Sequence, residues 1–315
     1  MTTVEEEEKR VRVFTPKTFE GICSVAVLQE IFKESELHID VQHEAYIDFR
    51  DINLFSGYST NIVLGLPYKG YTLPEEFYFH HDVPFQDFIH AATSGSEIEG
   101  KFITSIVDTE RDPIVGVCEY IFSNPRLSQH AQKTDKARAI IEAVDAYRRY
   151  EWENNNVTRL LLALYSASYR ELPKILKDRT LNQTVKEFAP FVQGQLVKMK
   201  DHIDRKLTQA EQSIVEFNGH QCSVITLYSE EYINELAYAL LKSAPTSMPV
   251  IVAVGRMTKG NDMMSIRTRD IHAGMIAEAI NGGGGKESVG NVFTDAKYGS
   301  LMNAWILQKL SNNIQ

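Results

Sequence analysis

The sequence predicts an α/β protein of two domains. A parallel, doubly wound sheet comes first, a smaller α/β domain follows, and a long helix joins them. Short apolar runs alternate with amphipathic stretches at both ends of the chain, the rhythm of strands and helices in turn. The middle, from about Thr134 to Lys177, has helical periodicity almost throughout. The length of 315 residues suits about two domains.

In order, Val11 to Phe14 reads as a short strand and Gly21 to Phe32 as a helix with apolar residues at helical spacing. Glu44 to Phe49 and Asn61 to Leu66 (NIVLGL) read as further strands, the second apolar enough for a buried parallel strand. Glu76 to His80 is another. The helical middle breaks near Asn154 to Asn156, and one long helix spans Leu181 to Leu207. Beyond it come a strand at Cys222 to Tyr228 and a helix at Ser229 to Leu241, with Ser229 as its cap. Strands at Val250 to Gly255 and Met263 to Thr268 precede a helix at Asp270 to Ile280. A glycine run, a short strand at Asn291 to Phe293 and a helix at Ser300 to Leu310 complete the chain. The predicted division is an acidic tail over 1–9, a first domain over 10–190 and a second over 191–315.

Composition narrows the function classes. Hydrophobic residues make up 43% and charged residues 24%, which excludes disorder over most of the chain. No apolar run approaches the roughly 20 residues of a membrane span. Glu5 to Glu8, followed by Lys9 and Arg10, is the opposite of a secretion signal and predicts a mobile, solvated tail. Three scattered cysteines, Cys23, Cys118 and Cys222, make neither a disulfide framework nor a zinc knuckle. These features predict a soluble, cytoplasmic protein. The net charge of −9 argues against broad duplex binding but leaves room for one small anionic ligand.

The glycines Gly282, Gly283, Gly284 and Gly285 mark either close backbone approach around an anion or a plain helix-ending turn. They are not a P-loop: Ile280 stands where its first glycine belongs, Glu287 follows Lys286, and a helix precedes the run. The same order excludes a dinucleotide fingerprint. Cys23 sits at a predicted helix start that would stabilise a thiolate, although a small buried residue is the simpler reading. Phe77, Tyr78, Phe79 and the Tyr147, Tyr150, Trp152 group suit either base stacking or core packing.

The stretch from Ser265 to Phe293 (SIRTRDIHAGMIAEAINGGGGKESVGNVF) resembles the DHHA1 domain of the DHH phosphoesterase superfamily. That pattern is a strand with Ser-x-Arg-Ser, a helix, and Gly-Gly-Gly-His before a closing Gly-Phe. Arg267 stands at the family's substrate-phosphate arginine. Gly282, Gly283 and Gly284 match the glycines, Gly285 replaces the histidine, and Lys286 to Gly290 fits the remainder of the pattern. The resemblance implies a DHH–DHHA1 architecture, with a manganese site on one wall of an inter-domain cleft and the arginine and glycines on the other.

At the front the pattern departs from the family. Where His-x-Asp-x-Asp-Gly is expected, the chain has Pro16, Lys17, Thr18, Phe19, Glu20 and Gly21. Gly65 stands at the next ligand aspartate, Phe79-His80-His81 replaces Asp-His-His, and Arg148 falls at the last aspartate. Manganese needs carboxylates supplemented by imidazole, and a two-metal clamp needs several of them around ions about 3.5–4 Å apart. Glu20, His80 and His81 are the residual candidates. His43, Glu44, Asp48, Asp82 and Asp108 are the residues from which a site could be rebuilt.

The resemblance thus implies a pseudoenzyme with no cofactor. Arg267, Gly282 to Gly285 and Lys286 would hold a nucleotide, a cyclic nucleotide or a short single-stranded nucleic acid, or the cleft would take a host protein. A homo-oligomer is compatible with this reading. Compact, degenerate relatives are encoded by large bacteriophages, which implies a phage factor acting on host nucleotide signalling or defence in the host cytoplasm. Two alternatives stay open: a working manganese phosphodiesterase or nanoRNase with altered ligands, and a structural or assembly protein that retains only the fold.

Overall fold

The computed structural model describes residues 9–72, 87–100, 103–257, 260–281, 283–285, 289–294 and 296–311. The acidic tail before Lys9, the strand expected at Glu76 to His80, and the residues His80, His81, Asp82, Gly282 and Lys286 lie outside them. The chain divides into two compact units, Met1–Leu196 and Val197–Gln315.

The first unit is built on a five-stranded sheet of β1 (Arg10–Thr15), β2 (His38–His43), β3 (Thr60–Leu64), β4 (Asp87–Ala92) and β5 (Ile103–Val107). Every pairing is parallel and the spatial order is β2-β1-β3-β4-β5, with the order reversing between β1 and β3. Helix α1 (Phe19–Ile31) connects β1 to β2. It is apolar nearly all round and correspondingly buried, with Ile22, Cys23, Val27 and Leu28 inaccessible. Thr18 caps it by accepting from the Gly21 amide at 3.2 Å. Gly21 is required here, because a Cβ would lie 2.4 Å from the Pro16 carbonyl oxygen.

The other helices of this unit are α2 (Pro113–Ser123), α3 (Pro125–Ser128), α4 (Asp135–Arg148), α5 (Asn156–Ser168) and α6 (Leu172–Lys177). Helix α4 packs on α1 through Tyr147, whose ring lies 4.4 Å from that of Phe19. An aromatic cluster of Phe14, Phe49, Phe55, Phe88 and Tyr68 forms a separate core beneath the segments that follow β2 and β3.

His90 on β4 is wholly buried against that cluster. Its Nε2 lies 2.9 Å from the Leu66 carbonyl and its Nδ1 3.1 Å from Ser105 Oγ, which accepts from the Ile98 amide. This chain is complete when the ring is neutral, with Nε2–H donating to Leu66 and Nδ1 accepting from the Ser105 hydroxyl. Burial lowers the His90 pKa below its ordinary value, against the opposing pull of the Leu66 carbonyl. The unfolded chain therefore binds a proton that the folded chain refuses, and stability falls as pH drops below the unfolded value of about 6.5. His43 and His202, also lowered by burial, act in the same sense. Urea denaturation at pH 7 and pH 5 should show the loss, and His90→Gln should reduce it; an identical pH dependence in the variant would contradict this assignment.

Helix α7 (Leu181–Leu207) carries Pro190 in its interior and contributes Ile203 and Leu207 to the second unit. That unit has a six-stranded mixed sheet of β6 (Glu211–Phe217), β7 (His220–Tyr228), β8 (Val250–Arg256), β9 (Met263–Arg269), β10 (Gly284–Gly285) and β11 (Val289–Phe293). The order is β10-β11-β9-β8-β7-β6, parallel between β7 and β8 and antiparallel elsewhere. Val250, Val252 and Val254 face α8 (Ile233–Ser243), whereas Ile251 and Ala253 face α9 (Ala273–Asn281) and α10 (Met302–Ser311). Cover on both faces explains why β8 is an unbroken apolar run.

Several sequence expectations need correction. The strand expected at Glu44 to Phe49 is instead β2, earlier in the chain. Its pairing with β1 ends at Thr15–His43, and a last bond from the Glu44 amide to the Thr15 carbonyl closes it. Ser229 does not cap α8. It is buried, its hydroxyl donates to the Glu231 carbonyl, and the helix begins after Tyr232, which adopts φ 55°. Strands β4, β5 and β6 are absent from the sequence expectation, because β5 and β6 are short or half-exposed and lack a strong apolar signature. Among the described residues, no helix is long and apolar enough to cross a membrane.

Candidate ligand-binding site

Arg267 lies on β9, opposite Val252 of β8 and Val289 of β11. Its side chain shares the sheet face that α8 covers and is only 8% exposed. Nη1 donates to the Ile266 carbonyl at 2.9 Å, and Nη2 donates to Asn234 Oδ1 in the first turn of α8. Nε is buried without a partner. The neighbouring Asp270 lies 3.8 Å from Arg269 instead. Among the described residues no carboxylate pairs with Arg267. A buried guanidinium without a counter-ion is costly unless an anion meets it.

Beside Arg267, Ser265 and Asn291 are register partners, with their side chains 3.2 Å apart at Oγ and Oδ1. The edge strand β10 follows, with Gly284 opposite Asn291 and Gly285 opposite Gly290. Gly283 ends α9 by donating its amide to the Ala277 carbonyl at 3.1 Å, so the turn reading of the run holds for this residue. None of Gly283, Gly284 and Gly285 has positive φ. Their requirement is steric: a Cβ on Gly285 would lie 2.3 Å from the Val289 carbonyl oxygen and one on Gly283 2.5 Å from that of Asn291. Gly284 alone of the three faces open space. The described glycines therefore form an exposed strand edge rather than a curled nest.

At the front of the first unit, β1 runs out at Thr15 and the chain passes through Pro16 and Lys17 into α1. Gly65 ends β3 with φ 77°, and a Cβ there would stand 3.4 Å from Pro16 Cδ. This is the point where the strand order reverses, the usual ligand crevice of an open parallel sheet. Thr15 Oγ1 and His43 Nδ1 are buried without partners, as is Arg148 Nη1 at the end of α4. Burial lowers the His43 pKa against an opposing hydrogen bond with the Thr15 backbone, and the charges of Lys17 and Arg170 add to the lowering.

No protein-family model matches the chain, and no curated protein matches it. Solved structures do. An exonuclease RecJ bound to manganese matches at TM-score 0.52 and 13% identity, over 98% of this chain and 92% of that one. An exopolyphosphatase-related protein from Bacteroides fragilis matches at 0.55 and 11%, over 98% and 93%. RecJ from Thermus thermophilus, in complex with manganese, matches at 0.55 and 13%, over 98% of this chain and 53% of that one. The fold is that of the DHH phosphoesterases.

In a DHH fold, manganese would be expected at the front of the first unit, and the described residues there do not fit it. Pro16, Thr18 and Gly65 supply no carboxylate, and Arg148 brings the wrong charge. Glu20 remains in the first turn of α1. Asp48 is paired with Arg50 at 2.8 Å, and Glu44 is exposed. Asp108 accepts from the backbone and side chain of Arg111, which with the Glu110 amide hold its pKa down at about 2. Among the described residues, no three histidines, cysteines or acids gather into a metal-sized group. Cys23 is inert by burial, which raises its pKa well above the ordinary value.

Sequence reading missed Asn234 and Asn291. Asn234 belongs to no motif and reaches Arg267 only because α8 crosses β9, whereas Asn291 lies in the Ser265 to Phe293 stretch but at a position to which no role was assigned. Tyr147 and Trp152, candidates for base stacking by sequence, are buried in the first unit's core.

Proposed function

We propose that this chain is a non-catalytic DHH-type protein that binds a phosphate-bearing ligand through Arg267. The ligand class is a nucleotide, a cyclic nucleotide or a short single-stranded oligonucleotide. One observation carries the reading: the Arg267 guanidinium is buried, has no carboxylate partner among the described residues and leaves Nε unbonded. Its planar donor fork suits phosphate oxygens. The Gly284–Gly285 edge, Gly282 and Lys286 are assigned to the same ligand. The exonuclease description of RecJ agrees with a nucleic-acid or nucleotide ligand.

Catalysis is absent in this reading because the carboxylates that would hold manganese are replaced at Thr18 and Gly65, and at Phe79. A degenerate, phage-encoded factor would use the site to sequester a host nucleotide signal. Mass spectrometry of small molecules released from the denatured protein should find a nucleotide. Assays with manganese on short RNA, DNA oligomers and 3′-phosphoadenosine 5′-phosphate should show no hydrolysis. Turnover abolished by EDTA and by substitution of Glu20, His80 or His81 would overturn this and make the chain a manganese phosphodiesterase. Stable oligomers or a captured host protein, without any nucleotide, would instead favour the assembly or host-protein readings.

A further inference from the structure

Strand β6 is a sheet edge with few of the features that keep such edges from pairing. It ends the second unit's sheet and bonds to β7 alone. Its seven residues include no proline, glycine or lysine, and its register with β7 has no bulge. The opposite edge, β10, has only two residues. A two-residue turn joins β6 to β7, with Asn218 at φ 50° and Gly219 at φ 76°, as in the type I′ turn of a tight hairpin.

That turn fixes which backbone groups point outward. Phe217 and His220 flank it as a hydrogen-bonded pair, so Val215, Ser213 and Glu211 also bond to β7. The amides and carbonyls of Gln212, Ile214 and Glu216 face away from β7, and among the described residues no other backbone meets them. The side chains alternate in the same way. Val215 and Phe217 are buried in the core under α10, whereas Ile214 is 62% exposed on the other face.

We propose that β6 pairs antiparallel with β6 of a second copy of this chain, about a two-fold axis at Ile214. Hydrogen-bonded pairing must join outward residues to outward residues, and this register uses all of them on both strands. Ile214 lies opposite Ile214 of the second copy, and Gln212 opposite its Glu216. A slip of two residues either way leaves Gln212 or Glu216 over. The exposed isoleucines cover each other, and each glutamine amide meets a carboxylate. The register also keeps the acids apart, which matters in a chain of net charge −9. The two copies of Glu216 stand four residues apart along the strands, roughly 13 Å, beyond the screening length of about 8 Å at physiological ionic strength. Glu211 projects to the other face, where it accepts from Asn303 Nδ2 of α10 at 2.7 Å. The contact is isologous and closes on itself. A single strand edge buries less than the roughly 1,200–2,000 Å² of a stable complex, so the association is weak.

Sedimentation equilibrium on the full chain should show a monomer–dimer equilibrium with a Kd between about 1 μM and 1 mM. Amide exchange reads the register. The Gln212, Ile214 and Glu216 amides should gain protection only as the dimer forms, while Ser213 and Val215 are protected at every concentration. Ile214→Pro removes an outward amide and no bond to β7, so the sheet should survive and the dimer be lost. Ile214→Lys makes the same test without altering the backbone. Gln212→Lys places a cation opposite Glu216 twice in each dimer and should tighten it by about twofold to thirtyfold, and Gln212→Glu should weaken it by a similar factor. A monomer at about 1 mM, protection without the alternation, or a dimer untouched by Ile214→Pro and Ile214→Lys would each overturn the proposal. So would a Gln212→Lys variant that pairs no more tightly than the wild type.

Discussion

Arg267→Met should lose nucleotide binding while keeping or raising the thermal midpoint. These two outcomes pull apart the roles open to a buried arginine. If Arg267 were structural, its removal would cost Asn234 Oδ1 a charged donor and destabilise the second unit. If it is held for a ligand, its burial is a cost, and an apolar side chain of similar length relieves that cost. Hydrogen bonds to a charged group contribute about 1.5–3 kcal/mol each, so loss of the fork should weaken binding by about tenfold to a hundredfold or more. Arg267→Lys keeps the charge but not the planar fork and should also weaken binding. Gly284→Val supplies the second arm. Its Cβ meets nothing within the protein, so the sheet survives and only an approaching ligand is obstructed. The same change at Gly285 would be uninformative, because the Val289 backbone is already in the way. Calorimetric titration with the nucleotide recovered from the protein reads all three variants; unchanged affinity in folded Arg267→Met would defeat the binding role.

The largest effect on stability is expected at Asp262, which is 1% exposed. Its Oδ2 accepts the backbone amides of Tyr298 at 2.9 Å and Gly299 at 3.1 Å, and Oδ1 accepts the Tyr228 hydroxyl at 3.3 Å. Its main chain is engaged as well: the carbonyl accepts the Thr294 amide and hydroxyl, each at 2.9 Å. One residue thus ties the approach to β9 to the segment that leads from β11 into α10. Asp262→Ala would leave two amides and a phenol without their acceptor. Two charge-assisted bonds at about 1.5–3 kcal/mol each put the loss at about 3–6 kcal/mol. The chain has two tryptophans, and Trp305, stacked on Tyr298 at 4.9 Å, reports this unit directly. Urea unfolding followed by its fluorescence should show the change; a loss below about 1 kcal/mol would mean that water replaces the carboxylate, as it can where a site is not truly closed.

Much of the architecture was legible in the residues themselves. The long helix, Leu181–Leu207, has the bounds its periodicity predicts, since amphipathic spacing is a local property. The strand, helix and glycine order from Ser265 to Phe293 was equally readable, and it placed Arg267 on a strand. Strands without apolar runs were not readable. Glu211–Phe217 is a half-exposed edge strand that exists because β7 pairs with it, and the pairing is non-local.

The candidate sites divide in the same way. Residue types alone showed that Pro16, Thr18 and Gly65 cannot ligate manganese and that Arg267 offers a phosphate fork. Tertiary structure decided that Arg267 is buried without a carboxylate among the described residues, that Asn234 orients it, and that Tyr169 takes a bond from Arg170 while its ring meets His43 edge-on. Lys17 and Tyr165 are separated by most of the first unit's sequence. Packing α5 against the β1–α1 junction brings the Tyr165 hydroxyl onto the Lys17 carbonyl, and no spacing rule encodes a contact made by folding two distant surfaces onto one sheet end.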